Sequence, residues 1–489
     1  MEILNYRTYL TTLKLVFLKA ISDLYPEHEV VFLNSLNNGL YGKIIYNNHV
    51  FREADYDKIK TQMKQIIDAN LPIQIVSSNY EAIKLSPIEE NREDIQELIN
   101  TTLWTGIMKM ELDGYVDYFY HLPYDRTGKL NAYDVYPYSS GFILKYPITD
   151  PNTLEQKIDT PKMAAIFEES DHWLRLMDVP NAGSINRKVL NHEIRSLIRI
   201  NEALHNKNLA KISEQIVKND KIKVITIAGP SSSGKTTFAN RLFIQLKADE
   251  VNPLVISLDN YYIGRKNIPL NEEGEKDYEA LEALDIRLLN QNLVDLIDGK
   301  EVELPIYNFI TGEREEKGKI VRLSNKHGVI IIEGIHGLNE AMTKYIPKEQ
   351  KFKIYISCLT QLNLDKHNRI ATSDVREIRR MVRDSLSRNT AAEETLAMWS
   401  SVRKGEEKHI FPFQEEADVI FNSNLVYEMG VLKNAAMREL VKVPTTSPYY
   451  ADARRLIGLL ACFLPIETDD VPDDSILKEF IGKSFFYNY

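Results

Sequence analysis

Val224-Ile225-Thr226-Ile227-Ala228 runs directly into Gly229-Pro230-Ser231-Ser232-Ser233-Gly234-Lys235-Thr236, and Thr237 to Leu246 follows with helical spacing. A β-branched run, a GxxxxGK[ST] turn and a helix, in that order, make the strand–loop–helix unit that cradles phosphate groups. The glycines let backbone N–H groups curl inward, and the helix N-terminus adds its dipole. Lys235 is placed to reach β and γ oxygens, and Thr236 to offer a hydroxyl to Mg2+. Every residue from Gly229 to Thr237 is therefore an expected nucleotide contact.

Outward from this loop, short β-branched runs alternate with helical segments: Leu254 to Leu258, Val329 to Ile332, Lys353 to Ser357 and Val419 to Phe421. That alternation predicts an α/β domain, a parallel sheet with flanking helices. Ligands of such sheets collect at the carboxyl edge of the strands, where Glu333 and Asp259 each follow an apolar run. Glu333 is the expected partner of Thr236 on Mg2+, with Asp259 beside it. Read alone, Glu333 could equally face solvent and Asp259 could cap the next segment. Arg376, Arg379, Arg380 and Arg383 stand at i, i+3, i+4 and i+7 and share one helix face. Such a face can close over a triphosphate; with Asp374, Glu377 and Asp384 interleaved it can also be a salt-bridged surface helix.

The 489 residues exceed what one core usually supports, so two or three domains are expected. A composition 44% hydrophobic and 27% charged is that of a globular chain. The net charge of -10 argues against general nucleic-acid binding, which needs a basic face. Cys358 and Cys462 have no CxxC or Cys/His spacing, so neither a disulfide framework nor a zinc site is indicated, and a cytoplasmic setting fits. Lys14 and Lys19 interrupt the apolar residues near the start, against a signal peptide. Leu456 to Ile466 is about half the ~20 residues of a membrane span, so no membrane partner is expected.

Before the loop, Tyr9 to Leu24 and Asp55 to Ala69 have helical spacing, and Val30 to Leu33 and Gly42 to Tyr46 read as strands. Tyr115 to Tyr146 is rich in tyrosine, glycine and turn residues and predicts hairpins. Ile185 to Val217 predicts one or two helices. The expected division is an α+β domain over 1–205, the P-loop domain over 206–440 and a helical extension over 441–489.

From about Lys223 to Leu432 the chain resembles the uridine kinase and phosphoribulokinase family. The loop, Ser257-Leu258-Asp259-Asn260-Tyr261-Tyr262, Asp277-Tyr278-Glu279, Pro305-Ile306-Tyr307-Asn308-Phe309 with Arg314, Glu333-Gly334-Ile335-His336-Gly337-Leu338 and the arginine helix carry the likeness. The resemblance implies Asp259 as the base that takes the acceptor's proton, working with Lys235, and Arg379 and Arg383 as groups on the transferring phosphoryl. It implies Tyr262, Glu279, Tyr307, Arg314 and Arg376 as acceptor contacts. Two positions depart from uridine kinases: Gly312 stands where a histidine reads the pyrimidine, and Met398 stands for a glutamine that also contacts the base. Both changes remove hydrogen-bonding groups, which redirects or relaxes base choice.

Thr12 to Pro180 is similar to the second additional, editing-type domain of threonyl-tRNA synthetases, through Tyr25-Pro26, Gly39-Leu40-Tyr41-Gly42 and Met63 to Ile73. The HxxxH pair and later CxxxH of active editing domains are missing, so hydrolysis is not expected. The pairing of the two regions resembles bacterial two-part nucleoside kinases, whose ending Ser475-Ile476-Leu477-Lys478-Glu479-Phe480-Ile481-Gly482 matches. The expectation is a homo-oligomeric, Mg2+-dependent kinase using ATP, with GTP as a second possible donor, on a nucleoside 5′-hydroxyl. A kinase of a sugar phosphate or other small alcohol is one alternative. A non-catalytic nucleotide switch is another, although Asn325-Lys326-His327-Gly328 lacks the aspartate of an NKxD guanine reader.

Overall fold

The computed structural model describes residues 6–45, 51–79, 92–102, 106–148, 150–270, 274, 276–308 and 311–487. Tyr46 and Phe309, which figure in the expectations above, lie outside them. The chain divides into two compact units. One comprises Met1–Ile194, Thr360–Ala371 and Ala461–Leu464, and the other Arg195–Leu359, Thr372–Leu460 and Pro465–Tyr489.

In the first unit, helices α1 (Tyr6–Leu24), α2 (Glu53–Asp68), α3 (Glu93–Thr101), α4 (Pro161–Leu176) and α5 (Ala182–Leu190) accompany seven strands. These are β1 (Glu29–Leu36), β2 (Gly39–Ile45), β3 (Gln74–Asn79), β4 (Gly106–Leu112), β5 (Tyr115–Tyr118), β6 (Asp134–Tyr138) and β7 (Gly141–Lys145). They form two antiparallel sheets, ordered β1-β2-β7-β6 and β3-β4-β5. The α+β character is as expected; of the hairpins expected over Tyr115 to Tyr146, β6-β7 lies within the stretch, while β5 pairs with β4 ahead of it. Buried apolar residues of α1 such as Leu13, Val16 and Phe17 join Phe32 and Phe142 of the first sheet in one core.

The second unit opens with α6 (Ile194–Val217), inside which the boundary expected near residue 205 falls. Its sheet is built from β8 (Val224–Ala228), β9 (Asn252–Ser257), β14 (Gly328–Glu333), β15 (Lys351–Ser357) and β16 (Val419–Asn422), in the order β16-β15-β8-β14-β9. All four pairings are parallel. Strands β8, β14 and β15 are buried at every residue, as in a parallel sheet covered on both faces; in β15 this includes Lys351 and Lys353, which pair with Glu340. Between β9 and β14 lie α8 (Ile286–Ile297) and the short strands β10 (Glu301–Leu304), β11 (Tyr307–Asn308), β12 (Glu313–Arg314) and β13 (Lys319–Arg322). Helices α7 (Lys235–Ala248), α9 (Thr372–Ser387), α10 (Ala392–His409), α11 (Glu428–Leu440), α12 (Tyr450–Ala461) and the single turn α13 (Lys478–Ile481) complete it. Among the described residues, no helix is long and apolar enough to cross a membrane.

Candidate active site

The loop between β8 and α7 springs from the middle strand of the five. Its path needs glycine at Gly229, where a Cβ would lie 2.0 Å from the Ile356 carbonyl oxygen, and at Gly234, whose φ is 85°. Ser232 also holds a positive φ, 59°. The hydroxyls of Ser232 and Ser233 are buried without a hydrogen-bond partner in the protein. Buried hydroxyls are ordinarily satisfied, so these two, beside the first N–H groups of α7, fit an oxyanion ligand.

Lys235 Nζ donates to the Pro230 carbonyl (3.1 Å) across the loop. Burial lowers its pKa, opposed by the charges of Glu333, Asp259 and Glu479. Glu333 ends β14, in register with Ser257 at the end of β9, and its Oε1 accepts from Ser257 Oγ at 2.8 Å. Burial, then the neighbouring Asp259 charge, pushes its carboxyl up to about 7. Asp259 is itself raised by desolvation, with Lys235, Arg388 and Arg383 pulling it back. A buried carboxyl, Glu333, raised by burial and by the charge of Asp259 at the solvent-facing mouth of the same strand edge and set beside a lysine, gives a place where a cation could be held. Glu333 and Asp259, with the Thr236 hydroxyl, are oxygen donors of the kind Mg2+ takes, an ion that uses one or two carboxylates and keeps waters and phosphates as further ligands.

The four arginines do lie together on α9, but they divide. Arg376 and Arg379 are 1% and 0% exposed. Arg376 donates to the Ser231 carbonyl (3.0 Å) and pairs with Glu406, which also accepts from the Ser231 N–H at 3.0 Å. Arg379 donates to Glu428 (2.6 Å) and to the carbonyls of Ser423 (2.9 Å) and Ser232 (3.4 Å). Both brace the phosphate loop from behind. Arg380 donates to Ser231 Oγ (3.0 Å), and Arg383, bonded to Asp384 (2.8 Å), adds its charge to the surroundings of Lys235 and Asp259.

Of the expected acceptor contacts, Arg314 is a clamp: it donates to the carbonyls of Tyr261 (2.9 Å) and Tyr262 (3.0 Å) and to Asp285 (3.2 Å), the residue that caps α8. Tyr262 packs on Tyr307 with ring centroids 5.6 Å apart and donates to the Tyr278 carbonyl (3.0 Å). Glu279 has its carboxyl raised to about 7 by burial and by Glu406, against Arg380 and Lys235. Gly312 (φ 75°) leaves room for the Arg265 side chain, which would crowd any Cβ there at 2.6 Å, and Met398 is exposed on α10. Glu406 and His336 were missed in the sequence. His336 is buried against His409, ring centroids 5.5 Å apart, and its pKa is lowered to about 4, by burial and then by His409. The Glu333-Gly334-Ile335-His336 string was the available signal for His336; Glu406 had none, being one of many charges on α10.

Residues 224–428 match the model of the phosphoribulokinase/uridine kinase family. A uridine kinase of Lactobacillus johnsonii is 30% identical over 198 residues, 40% of this chain and 84% of that protein. The chain belongs to the phosphoribulokinase/uridine kinase family. A uridine kinase of Staphylococcus aureus is 31% identical over 198 residues, 40% of this chain and 86% of that protein. A solved chain described as a possible uridine kinase from Bacillus stearothermophilus is 20% identical, with a TM-score of 0.28, over 41% of this chain and 89% of its own. Family membership makes the second unit a nucleoside-kinase-like phosphotransferase, and the matched residues include the loop, Asp259, Glu333 and the arginines of α9.

Proposed function

We propose that this protein transfers the γ-phosphate of ATP to the 5′-hydroxyl of a nucleoside. The observation that carries the reading is the convergence of Asp259, Lys235 and Glu333 beside a loop whose Ser232 and Ser233 hydroxyls are buried and unpartnered. Lys235 and the loop N–H groups hold the β and γ phosphates. Asp259, raised by desolvation, takes the acceptor's proton as the new O–P bond forms and the β–γ bond breaks, leaving ADP. Thr236, Glu333 and Asp259 would hold Mg2+, which neutralises phosphate charge when bound. Arg383 faces the transferring group, while Arg379 and Arg376 keep the loop in shape. Tyr262, Tyr307 and Glu279 line the acceptor side.

Gly312 and Met398 favour a second reading, a kinase of another small alcohol, because neither residue can hydrogen-bond a base through its side chain. GTP remains a second candidate donor. We assign the amino-terminal region, similar to the synthetase editing-type domain, a dimerising or ligand-sensing part without hydrolysis, in a cytoplasmic homo-oligomer. The test is ADP release from the purified chain with Mg-ATP against nucleosides, sugar phosphates and other small alcohols, with Lys235→Ala as control. Lys235-dependent turnover with one nucleoside supports the first reading. Turnover only with another alcohol supports the second, and turnover with none sinks both.

A further inference from the structure

The first three N–H groups of α7 belong to Lys235, Thr236 and Thr237, and in a phosphate-binding loop they are the donors that receive the nucleotide. The third is already taken. Glu479 Oε2 accepts from the Thr237 hydroxyl at 2.7 Å and from the Thr237 N–H at 3.3 Å, and the Tyr487 hydroxyl lies 3.3 Å from the same threonine oxygen. Neither partner is solvent-washed: Thr237 is 0% and Glu479 7% exposed. Two more side chains of the same segment fix the carboxylate there. Ile476 fits against Gly234 so closely that a Cβ on the glycine would meet it at 2.5 Å, and the Phe480 ring sits 5.1 Å from the Arg379 guanidinium. Both are fully buried.

A carboxylate accepting a hydroxyl and an N–H at the start of this helix makes the hydrogen bonds a phosphate would make. Its charge also reaches the machinery, since Glu479 is among the groups acting on both Lys235 and Glu333. Thr237 has one N–H and one hydroxyl proton to give, and Glu479 accepts both, so a phosphate that took these donors would have to displace the carboxylate.

We propose that the carboxyl-terminal segment Ser475–Tyr487 is an internal competitor for the donor site, in which Glu479 stands on Thr237 in place of a nucleotide phosphate and leaves when the nucleotide enters. This rests on the donor-site reading of the loop. The segment is tethered to the same unit, so it competes at a high effective concentration, and its release requires the buried Ile476 and Phe480 to leave their places in a local opening that amide exchange can read. Anything that held the segment away would raise nucleotide affinity without touching the loop.

The test uses the full chain and ATP. Binding is titrated by calorimetry for the parent protein, Glu479→Gln and Lys235→Ala, and amide exchange of residues 475–487 is followed with and without ATP. Glu479→Gln keeps the size of the side chain and removes its charge, so the fold is retained while the competitor is weakened. The expected result is ATP affinity at least threefold higher in Glu479→Gln, with faster exchange in the segment once ATP is added to the parent. Unchanged or weaker affinity overturns the proposal, as does a segment that stays protected when ATP binds, for then Glu479 is a fixed part of the site. If ATP binds the parent and Glu479→Gln no better than Lys235→Ala, the donor-site reading itself has failed, and the proposal with it.

Discussion

At the scale of single residues, the proposed chemistry turns on two carboxyl groups with different tasks. Asp259→Asn keeps the shape of the side chain and cannot take a proton. Turnover should fall by about 10² to 10⁴ while ATP affinity stays within about twofold, read by steady-state rates and calorimetry. Glu279, held at about 7, changes form across the physiological range. Below that pH it is a protonated donor, and above it a carboxylate that can accept from two hydroxyls of an acceptor. The acceptor KM should therefore fall as pH rises from 6 to 8, by up to about tenfold, and Glu279→Gln should flatten that profile. The placing of Asp259 and Glu333 at one sheet edge was legible because each comes at or just after the end of an apolar run that reads as a strand, and strand ends of such sheets meet at one edge. The burial that raises Glu279 was not legible, since it comes from α10 closing on it: a Cβ at Gly405 would touch the Glu279 side chain at 2.8 Å.

At the scale of elements, the spacing of the arginines on α9 correctly predicts a helix with one shared face. It does not tell which way that face turns. Both expected alternatives, a lid over the triphosphate and a solvated salt-bridged surface, put the charges outward, whereas Arg376 and Arg379 point inward to Glu406 and Glu428. Their partners are 30 and 49 residues away in sequence, beyond any periodicity. This division separates two substitutions that look alike in the sequence. Arg379→Ala leaves Glu428 buried without its cation and should cost about 3–5 kcal/mol in urea unfolding. Arg383→Ala leaves the buried Asp384 with Arg380 (3.4 Å) and Arg388 (3.7 Å), so it should cost less stability than Arg379→Ala, while kcat falls by on the order of 10³ if this arginine serves the phosphoryl group. The reverse pattern would give Arg379 the catalytic part.

At the scale of the molecule, the alternation of strands and helices after Val224 made the parallel sheet readable, and the turn-rich stretch after Tyr115 made the β6-β7 hairpin readable. The interruption of the kinase region was invisible. Thr360–Ala371 runs between β15 and α9, yet it belongs to the amino-terminal unit. There Lys366 O accepts from the Phe32 N–H (2.9 Å), Asn363 donates to the Phe32 carbonyl (2.7 Å), and Lys14 donates to the His367 carbonyl (2.9 Å). His367 meets Asp117 at 2.6 Å although 250 residues separate them, and no local pattern encodes such a pairing. The cluster is ionic and buried. Arg92 bonds Asp94 (2.8 Å), lies 3.4 Å from Asp365 and 3.9 Å from Asp117. Burial alone would raise Asp94, but the Arg92 bonds and charge outweigh it and hold that carboxyl at about 2. Asp365, where burial prevails over the same arginine, is pushed up to about 6. Arg92→Ala strands these carboxylates without their shared cation, and at pH 7 it should cost about 3–5 kcal/mol of unfolding free energy. A raised native pKa means that the stability Asp365 contributes is present below about 4 and lost as pH rises through 6. The penalty of Arg92→Ala should accordingly shrink between pH 7 and pH 5, where Asp365 carries a proton and needs the arginine less. Urea unfolding of the parent and variant at the two pH values measures this directly, and a penalty that stayed constant or grew at pH 5 would mean that Asp94, not Asp365, sets the dependence on Arg92.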